Sequence, residues 1–275
     1  MGSSGRVVVG VDGSPTSLAV AMWAVDEAEL RNAEQVRFVV VIGDRRAADE
    51  AWQAVGAVED RFASNRSDLE ITSEVAHGAP ADVLIERSDD AELIVVGSRG
   101  RSALAATLLG SVSAKVAAHA RCPVVVVREH RSSGPVVVGL DNSPHSQAAL
   151  RYAFDSAARY GCELVAVQVW EFPESAPVVP PMGHELAELR DEALRALSEQ
   201  LAGWADSHPN VPVRKVAPRG HPVEELAAAA GDARLLVVGH RGRGGFTGLL
   251  LGSVAAGVLH HAQCPVAVVR NATGS

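Results

Sequence analysis

Short runs of valine and leucine recur along the chain, separated by longer stretches in which apolar residues recur at helical spacing. The runs are almost continuously apolar, which is typical of strands covered by helices on both faces of a parallel sheet. They occupy residues 6–11, 36–42, 69–76, 93–97 and 123–128, and then 135–140, 164–170, 211–217, 235–239 and 265–270. The pattern predicts ten buried strands in two groups of five.

The two groups belong to an internal repeat. Residues 6–29 align without gaps to 135–158 with 12 of 24 positions identical, and residues 93–128 align to 235–270 with 22 of 36 identical. The polar run 129–134 reads as a linker that ends in glycine. Two copies of this length are too few for a solenoid, so the repeat predicts two tandem domains, residues 1–130 and 131–275. The second copy is longer by a proline-rich insertion at 171–183.

Within each copy the strand and helix patterns alternate as βαβαβαβαβ, which predicts an α/β fold of two tandem Rossmann-like domains. Each domain is expected to hold a five-stranded parallel sheet flanked by helices. The first helices begin at Ser14-Pro15 and Ser143-Pro144. A serine side chain can cap the first turn there, and proline has a fixed φ that suits it.

Composition and charge narrow the class of protein. Of the 275 residues 47% are apolar, no apolar run approaches the roughly 20 residues of a membrane helix, and the net charge is −8. A negative chain is a poor match for nucleic acid or an anionic membrane, since both attract basic proteins. Three cysteines and no signal-peptide pattern at the start predict a cytoplasmic protein without a disulfide framework.

Two segments of each copy place polar chemistry at the carboxyl ends of strands, where open parallel sheets bind ligands. The first strand ends at Val11-Asp12 and Leu140-Asp141. The fourth strand runs into Gly97-Ser98-Arg99-Gly100, and nine residues separate Gly100 from Gly110-Ser111. The second copy repeats this spacing with Gly239, Arg241, Gly242, Gly252 and Ser253. Glycines followed by a helix start offer backbone N–H groups to a phosphate, with the arginines adding positive charge.

An ordinary turn is the alternative explanation for the glycines, and a turn or helix cap is the alternative for Asp12 and Asp141. The recurrence of the full spacing at matching positions favours phosphate binding over a turn. The aspartates could accept hydrogen bonds from ribose hydroxyls or help hold a metal on phosphates. The sequence therefore favours a nucleotide over free phosphate.

These motifs resemble the ATP-binding signature of the universal stress protein family, and the resemblance covers nearly all of both copies. It implies sheets of order 3-2-1-4-5, one ATP in each domain, a divalent cation such as Mg²⁺, and pairing of the two domains through their fifth strands. It also implies that Asp12 and Asp141 lie near the ribose and that Val41 and Val169 lie beside adenine. The residues implied to hold the ribose and phosphates are Gly97, Gly100, Gly110, Ser111, Gly239, Gly242, Gly252 and Ser253. The remaining residues expected at the nucleotide are Val11, Arg99, Val112, Leu140, Arg241 and Val254.

The residues that efficient phosphoryl transfer needs are missing from the motifs. The sequence has no G-x-x-x-x-G-K-[S/T] loop, and its lysines are Lys115 and Lys215. We therefore expect no catalytic residues and at most weak ATPase activity, with a stress-response switch or sensor as the leading hypothesis. A slow ATP hydrolase and an interaction scaffold that binds another adenine compound, such as AMP or cyclic AMP, stay open. The expected partners are an adenine nucleotide, an unidentified signalling partner and a second copy of the chain in a homodimer, with neither nucleic acid nor membrane.

Overall fold

The computed structural model describes residues 5–42, 56, 62, 69–100, 109–171, 183–243 and 250–271. These residues include a ten-stranded sheet of order β3-β2-β1-β4-β5-β10-β9-β6-β7-β8. Its strands in the first repeat are β1 (Arg6–Val11), β2 (Gln35–Ile42), β3 (Glu70–His77), β4 (Leu93–Gly97) and β5 (Val124–Val127). The second repeat contributes β6 (Val136–Gly139), β7 (Leu164–Val167), β8 (Val213–Val216), β9 (Leu235–Gly239) and β10 (Val266–Val269). Each half has the order 3-2-1-4-5, as the resemblance implied.

Helices pack on both faces of the sheet. In the first repeat they are α1 (Pro15–Leu30), α2 (Pro80–Arg87) and α3 (Ser111–His119). In the second they are α4 (Pro144–Tyr160), α5 (Gly183–Gln200), α6 (Trp204–Ser207), α7 (Pro222–Ala229) and α8 (Ser253–His261). The tandem α/β architecture predicted from the valine runs is confirmed. The prediction that all ten strands are buried is wrong for β3 and β8, which lie at the two edges of the sheet and are partly or largely exposed.

Successive strand residues point to opposite faces, so the uninterrupted valine runs supply two cores at once. Val7 and Val9 pack on one face with α1 and α4, whereas Val8 packs on the other face with α2 and α3. Both clusters continue from the first repeat into the second. The two domains are therefore joined through a shared apolar interior.

The junction between the domains is the pairing of β5 with β10. These strands run antiparallel, with Val125 opposite Ala267, whereas the strand pairs within each half are parallel. The predicted pairing of the domains through their fifth strands is confirmed. In this pairing the start of β10 lies beside the end of β5. The carboxyl-terminal ends of the two half-sheets therefore lie at opposite ends of the strands in the ten-stranded sheet, and each lies near a helix end of the other domain.

The helix starts agree with the sequence in one domain and differ in the other. The Ser143 side chain accepts a hydrogen bond from the Ser146 N–H at 3.1 Å, as a capping serine does. Ser14 makes no such bond; its hydroxyl lies 2.8 Å from the Thr16 hydroxyl instead. The expected side-chain cap at Ser14 is therefore wrong. Its hydroxyl is engaged by the Thr16 hydroxyl, and the second domain has His145 instead of a threonine at that position. The interior of the proline-rich insertion, residues 172–182, lies outside the described residues.

Candidate functional site

Each half of the sheet carries a cavity beyond the carboxyl ends of its first and fourth strands. The first cavity has a volume of about 480 Å³ and the second about 470 Å³. Both lie within the size range of small-molecule sites in proteins. Their position at the switch in winding direction is the one expected for ligand binding in an open α/β sheet.

The structure brings all of the sequence-predicted site residues into these two cavities. The first cavity is lined by Val11, Asp12, Val41, Gly97, Arg99, Gly100, Gly110, Ser111 and Val112. The second is lined by Leu140, Asp141, Val169, Gly239, Arg241, Gly242, Gly252, Ser253 and Val254. The grouping of these residues is thus observed, and their contact with a nucleotide stays a prediction.

Further lining residues were not singled out from the sequence. Matched pairs among them are Gly10 and Gly139, Pro80 and Pro222, Leu84 and Leu226, Val39 and Val167, Val96 and Val238, and Ser17 and Ser146. The internal repeat held a signal for three of these pairs, since Gly10/Gly139, Ser17/Ser146 and Val96/Val238 are identical at positions of the gap-free alignments. Glu171 also lines the second cavity, whereas the indole of Trp170 donates to the Ala217 carbonyl at 3.1 Å.

The aspartate that follows the first strand of each domain accepts hydrogen bonds from the neighbouring loop residues. In the second cavity, Oδ1 of Asp141 accepts from the Ser143 N–H at 3.1 Å and Oδ2 accepts from the Arg243 N–H at 2.8 Å. In the first cavity, Oδ1 of Asp12 accepts from the Ser14 N–H at 3.0 Å and the Ser17 hydroxyl at 2.8 Å. The turn role considered from the sequence is therefore real, and it leaves the carboxylates at the cavity wall.

The glycine loops approach these aspartates closely. A Cβ atom built on Gly242 would lie 2.5 Å from Oδ2 of Asp141, and one on Gly100 would lie 2.9 Å from Oδ2 of Asp12. Carbon atoms do not approach carboxylate oxygens this closely without a shift of one group. A side chain at either position would therefore require the aspartate or the loop to shift.

Two helix starts form the opposite wall of the cavities. Gly110 and Gly252 precede α3 and α8, and neither has a side chain that could cap the helix. Among the described residues no side chain caps these helices, so the N–H groups of the first turn are placed to bind an anion at the positive end of each helix. The Nε atoms of Arg99 and Arg241 are buried and lack a hydrogen-bond partner in the described structure. Each cavity is thus lined by a helix start, by an arginine whose Nε has no partner among the described residues, and by a carboxylate.

The two cavities differ at their edges in a pair of histidines. His145 and His240 stand edge to face in the second domain with ring centroids 4.4 Å apart, at the positions that Thr16 and Ser98 hold in the first. Burial lowers the pKa of His240 to about 3, with further contributions from Arg270, His145 and Arg241. Burial and then Arg241 lower the pKa of His145 as well. Neutral imidazoles therefore border the second site.

This shift predicts a pH dependence of stability. The folded protein keeps His240 neutral down to about pH 3, whereas the same side chain in the unfolded chain takes up a proton below its ordinary pKa of 6.5. The free energy of unfolding therefore falls as the pH falls through this window, and the His240→Ser variant should lose about 1.5 kcal/mol less between pH 6.5 and 5.0. Urea unfolding of both proteins at a series of pH values measures the difference. If the unfolding free energies of the two proteins fell in parallel below pH 6.5, the prediction would be contradicted. A constant difference between them above pH 7 reports only the change in packing.

The thiols near the helix ends are not poised for metal binding. Cys122 and Cys264 are buried, and burial raises their pKa values to about 12 and about 11. Both thiols are therefore protonated at neutral pH, and a thiolate is the form that binds zinc. Within the described ranges, no three His, Cys, Asp or Glu side chains meet in a group that could hold a metal ion.

No helix among the described residues is both long enough and apolar enough to cross a lipid bilayer.

Known proteins match the chain along its length. A family model described as "Universal stress protein family" matches residues 4–128 and 133–270. The universal stress protein Rv2005c of Mycobacterium tuberculosis strain H37Rv is 39% identical over 288 residues, with 96% of each chain covered. A universal stress protein of Mycolicibacterium smegmatis is 38% identical over 287 residues, again with 96% of each covered. The crystal structure of a universal stress protein from Archaeoglobus fulgidus has the same fold, with a TM-score of 0.72 at 23% identity over 97% of this chain and 96% of that one.

Proposed function

The chain belongs to the universal stress protein family, and we propose that each of its two domains binds one ATP, so that the protein acts as a nucleotide-dependent switch or sensor in a stress response. The observation that carries this proposal is the pairing, in both cavities, of an uncapped helix start with an arginine whose buried Nε lacks a partner among the described residues. Unsatisfied donors of this kind suit phosphate oxygens.

The rest of each cavity suits the nucleoside. Val41 in the first cavity and Val169 in the second offer apolar surface for a purine ring. Asp12 and Asp141 lie at the wall between these valines and the glycine loops, where a carboxylate can accept from ribose hydroxyls. The aspartate oxygens already accept from Ser14, Ser143 and Arg243 N–H groups. A Mg²⁺ ion would therefore be held mainly by the phosphates and water, as this ion usually is.

The proposal is tested by identifying what the protein carries and what it takes up. Purified protein is denatured and the released nucleotide identified by chromatography; emptied protein is then titrated calorimetrically with ATP and MgCl₂ while phosphate release is followed. We expect two ATP per chain with negligible turnover. A preference for AMP or cyclic AMP, or binding of no nucleotide at all, would overturn the ATP assignment. Steady phosphate release would show that the protein is a slow ATP hydrolase rather than a switch.

We further propose that this switch operates in the cytoplasm, as a homodimer and with a signalling partner that reads nucleotide occupancy. Sedimentation velocity across working concentrations tests the homodimer, and a monomer throughout would remove it.

A further inference from the structure

Two helices connect the proposed sites in opposite directions. α3 begins at Ser111 in the first cavity, and α8 begins at Ser253 in the second. Each has nine residues and so spans about 13 Å. Because β5 and β10 run antiparallel, each helix ends beside the other domain's fifth strand. The helix that offers its amino end to one cavity therefore presents its carboxyl end to the other domain.

An arginine of the opposite domain holds each of these carboxyl ends. Nη2 of Arg128 donates to the carbonyls of Leu259 and His260 at the end of α8, at 3.0 and 3.1 Å. Nη2 of Arg270 donates to the Ala118 carbonyl at the end of α3. Ala118 and His260 occupy the same position in the two repeats. The contacts are thus reciprocal, and both place a cation on the negative end of a helix dipole.

The same two arginines lie beside the proposed phosphate sites. Arg128 directly follows β5, and the Val127 carbonyl next to it accepts from the Ser98 N–H at 2.9 Å. Burial lowers the pKa of Arg128, and so does the charge of Arg99, which lines the first cavity. Burial and the charge of Arg241 act in the same way on the pKa of Arg270. Each cavity arginine therefore repels the arginine that holds the helix leading to the other cavity.

A second contact ties α8 to the first cavity. The Leu109 N–H donates to Nδ1 of His260 at 3.4 Å, and Leu109 lines the first cavity beside Gly110. The end of α8 thus touches both the glycine loop and the strand end of the opposite domain.

We propose that the two cavities are coupled through these crossed helices, so that phosphate binding in one domain raises the affinity of the other. The proposal rests on the ATP binding proposed above. An anion beside Arg99 offsets its repulsion of Arg128, which then holds the end of α8 more firmly. A firmly held α8 keeps its first-turn N–H groups in place at the second cavity. Arg241, Arg270 and α3 act in the reverse direction, and linkage makes the two effects equal.

Calorimetric titration with MgATP tests the coupling. Gly100→Ala and Gly242→Ala each weaken one cavity, because the added Cβ would lie 2.9 Å from Oδ2 of Asp12 and 2.5 Å from Oδ2 of Asp141. The product of the parent's two association constants should be about fivefold larger than the product of the constant for the first cavity in Gly242→Ala and the constant for the second cavity in Gly100→Ala. Arg128→Gln/Arg270→Gln should reduce that ratio to one, and Arg128→Lys/Arg270→Lys, which keeps the charge, should retain most of it. The single Gln variants serve if the double variant does not fold.

The outcomes separate this inference from the proposed function. Failure of the parent protein to bind ATP would overturn both. Two ATP that bind independently, so that the two products are equal, or a parent product smaller than the product of the single-site constants, would overturn the coupling alone. A ratio that persists in the Gln variants would show that the affinity change does not pass through the arginines.

Discussion

Substitution of Gly242 by alanine is expected to reduce ATP binding from two molecules per chain to one. The new Cβ would lie 2.5 Å from Oδ2 of Asp141, an oxygen that accepts from the Arg243 N–H at 2.8 Å. The aspartate or the loop must move, and either movement separates the carboxylate from the glycine loop. Because misplaced binding groups lose most of their contribution, the affinity of the second site should fall at least about tenfold. Calorimetric titration with MgATP gives both the stoichiometry and the remaining affinity.

Two other glycines provide matched comparisons. Gly100→Ala is the same change in the first domain, where the corresponding approach is 2.9 Å, so it should weaken ATP binding at the other site by a smaller factor. Gly56→Ala is the control, since a Cβ there meets no atom of the described residues within 4 Å and Gly56 lines neither cavity, so it should leave both sites intact. Undiminished binding in Gly242→Ala would refute the assignment of the second cavity as a nucleotide site. Circular dichroism spectra that match the parent confirm that the fold is retained.

The fold and the two cavities could be predicted because each depends on local pattern and on repetition. Continuous valine runs fix buried strands, and Asp12 with Gly100 recurs as Asp141 with Gly242 at the ends of the same strands. A feature that occurs at matching positions in both halves is visible in the sequence before the topology is known.

The features that sequence analysis missed join residues far apart in the chain. Arg128 meets Leu259 and His260 only because β5 pairs with β10. His240 reads as one residue of a glycine loop, and only the folded chain brings His145 against it. The local sequence pattern carries no signal for such pairs, because the local structure at these positions does not depend on which distant residue the arginine or histidine contacts.

A buried polar cluster between the domains illustrates this limit and supports the prediction with the largest effect on stability. The side chains of Glu27 and Arg31, both near the end of α1, are 2% and 5% exposed and form an ion pair with Nε and Oε1 2.6 Å apart. Arg31 Nη2 donates to the Tyr152 hydroxyl at 2.6 Å, and the Tyr160 hydroxyl donates to Oε2 of Glu27 at 2.5 Å. Both tyrosines belong to α4 of the second domain, so the cluster crosses the domain interface.

The neighbouring groups in this buried cluster keep Arg31 charged. Burial alone would lower the pKa of Arg31, but Tyr152 and Glu27 outweigh it and raise the pKa above its ordinary value. Burial raises the pKa of Tyr152 to about 12, so this phenol stays neutral and accepts from the guanidinium. Arg31 therefore stays charged at neutral pH. Glu27 is its nearest ionic partner at 2.6 Å; Glu92 lies 3.1 Å from Arg31, and Arg159 lies 3.8 Å from Glu27.

Arg31→Met should lower the free energy of unfolding by about 3–5 kcal/mol, because it leaves the Glu27 carboxylate buried without its main partner. Glu27→Leu/Arg31→Met should recover more than half of that loss, since it removes both charges together. Urea unfolding followed by tryptophan fluorescence measures the free energies. Arg121→Met is the matched control: its ion pair with Asp89 is exposed, so its loss should fall within experimental error. A cost for Arg31→Met no larger than for Arg121→Met, or a double variant no more stable than the single one, would show that the two domains do not depend on this buried pair.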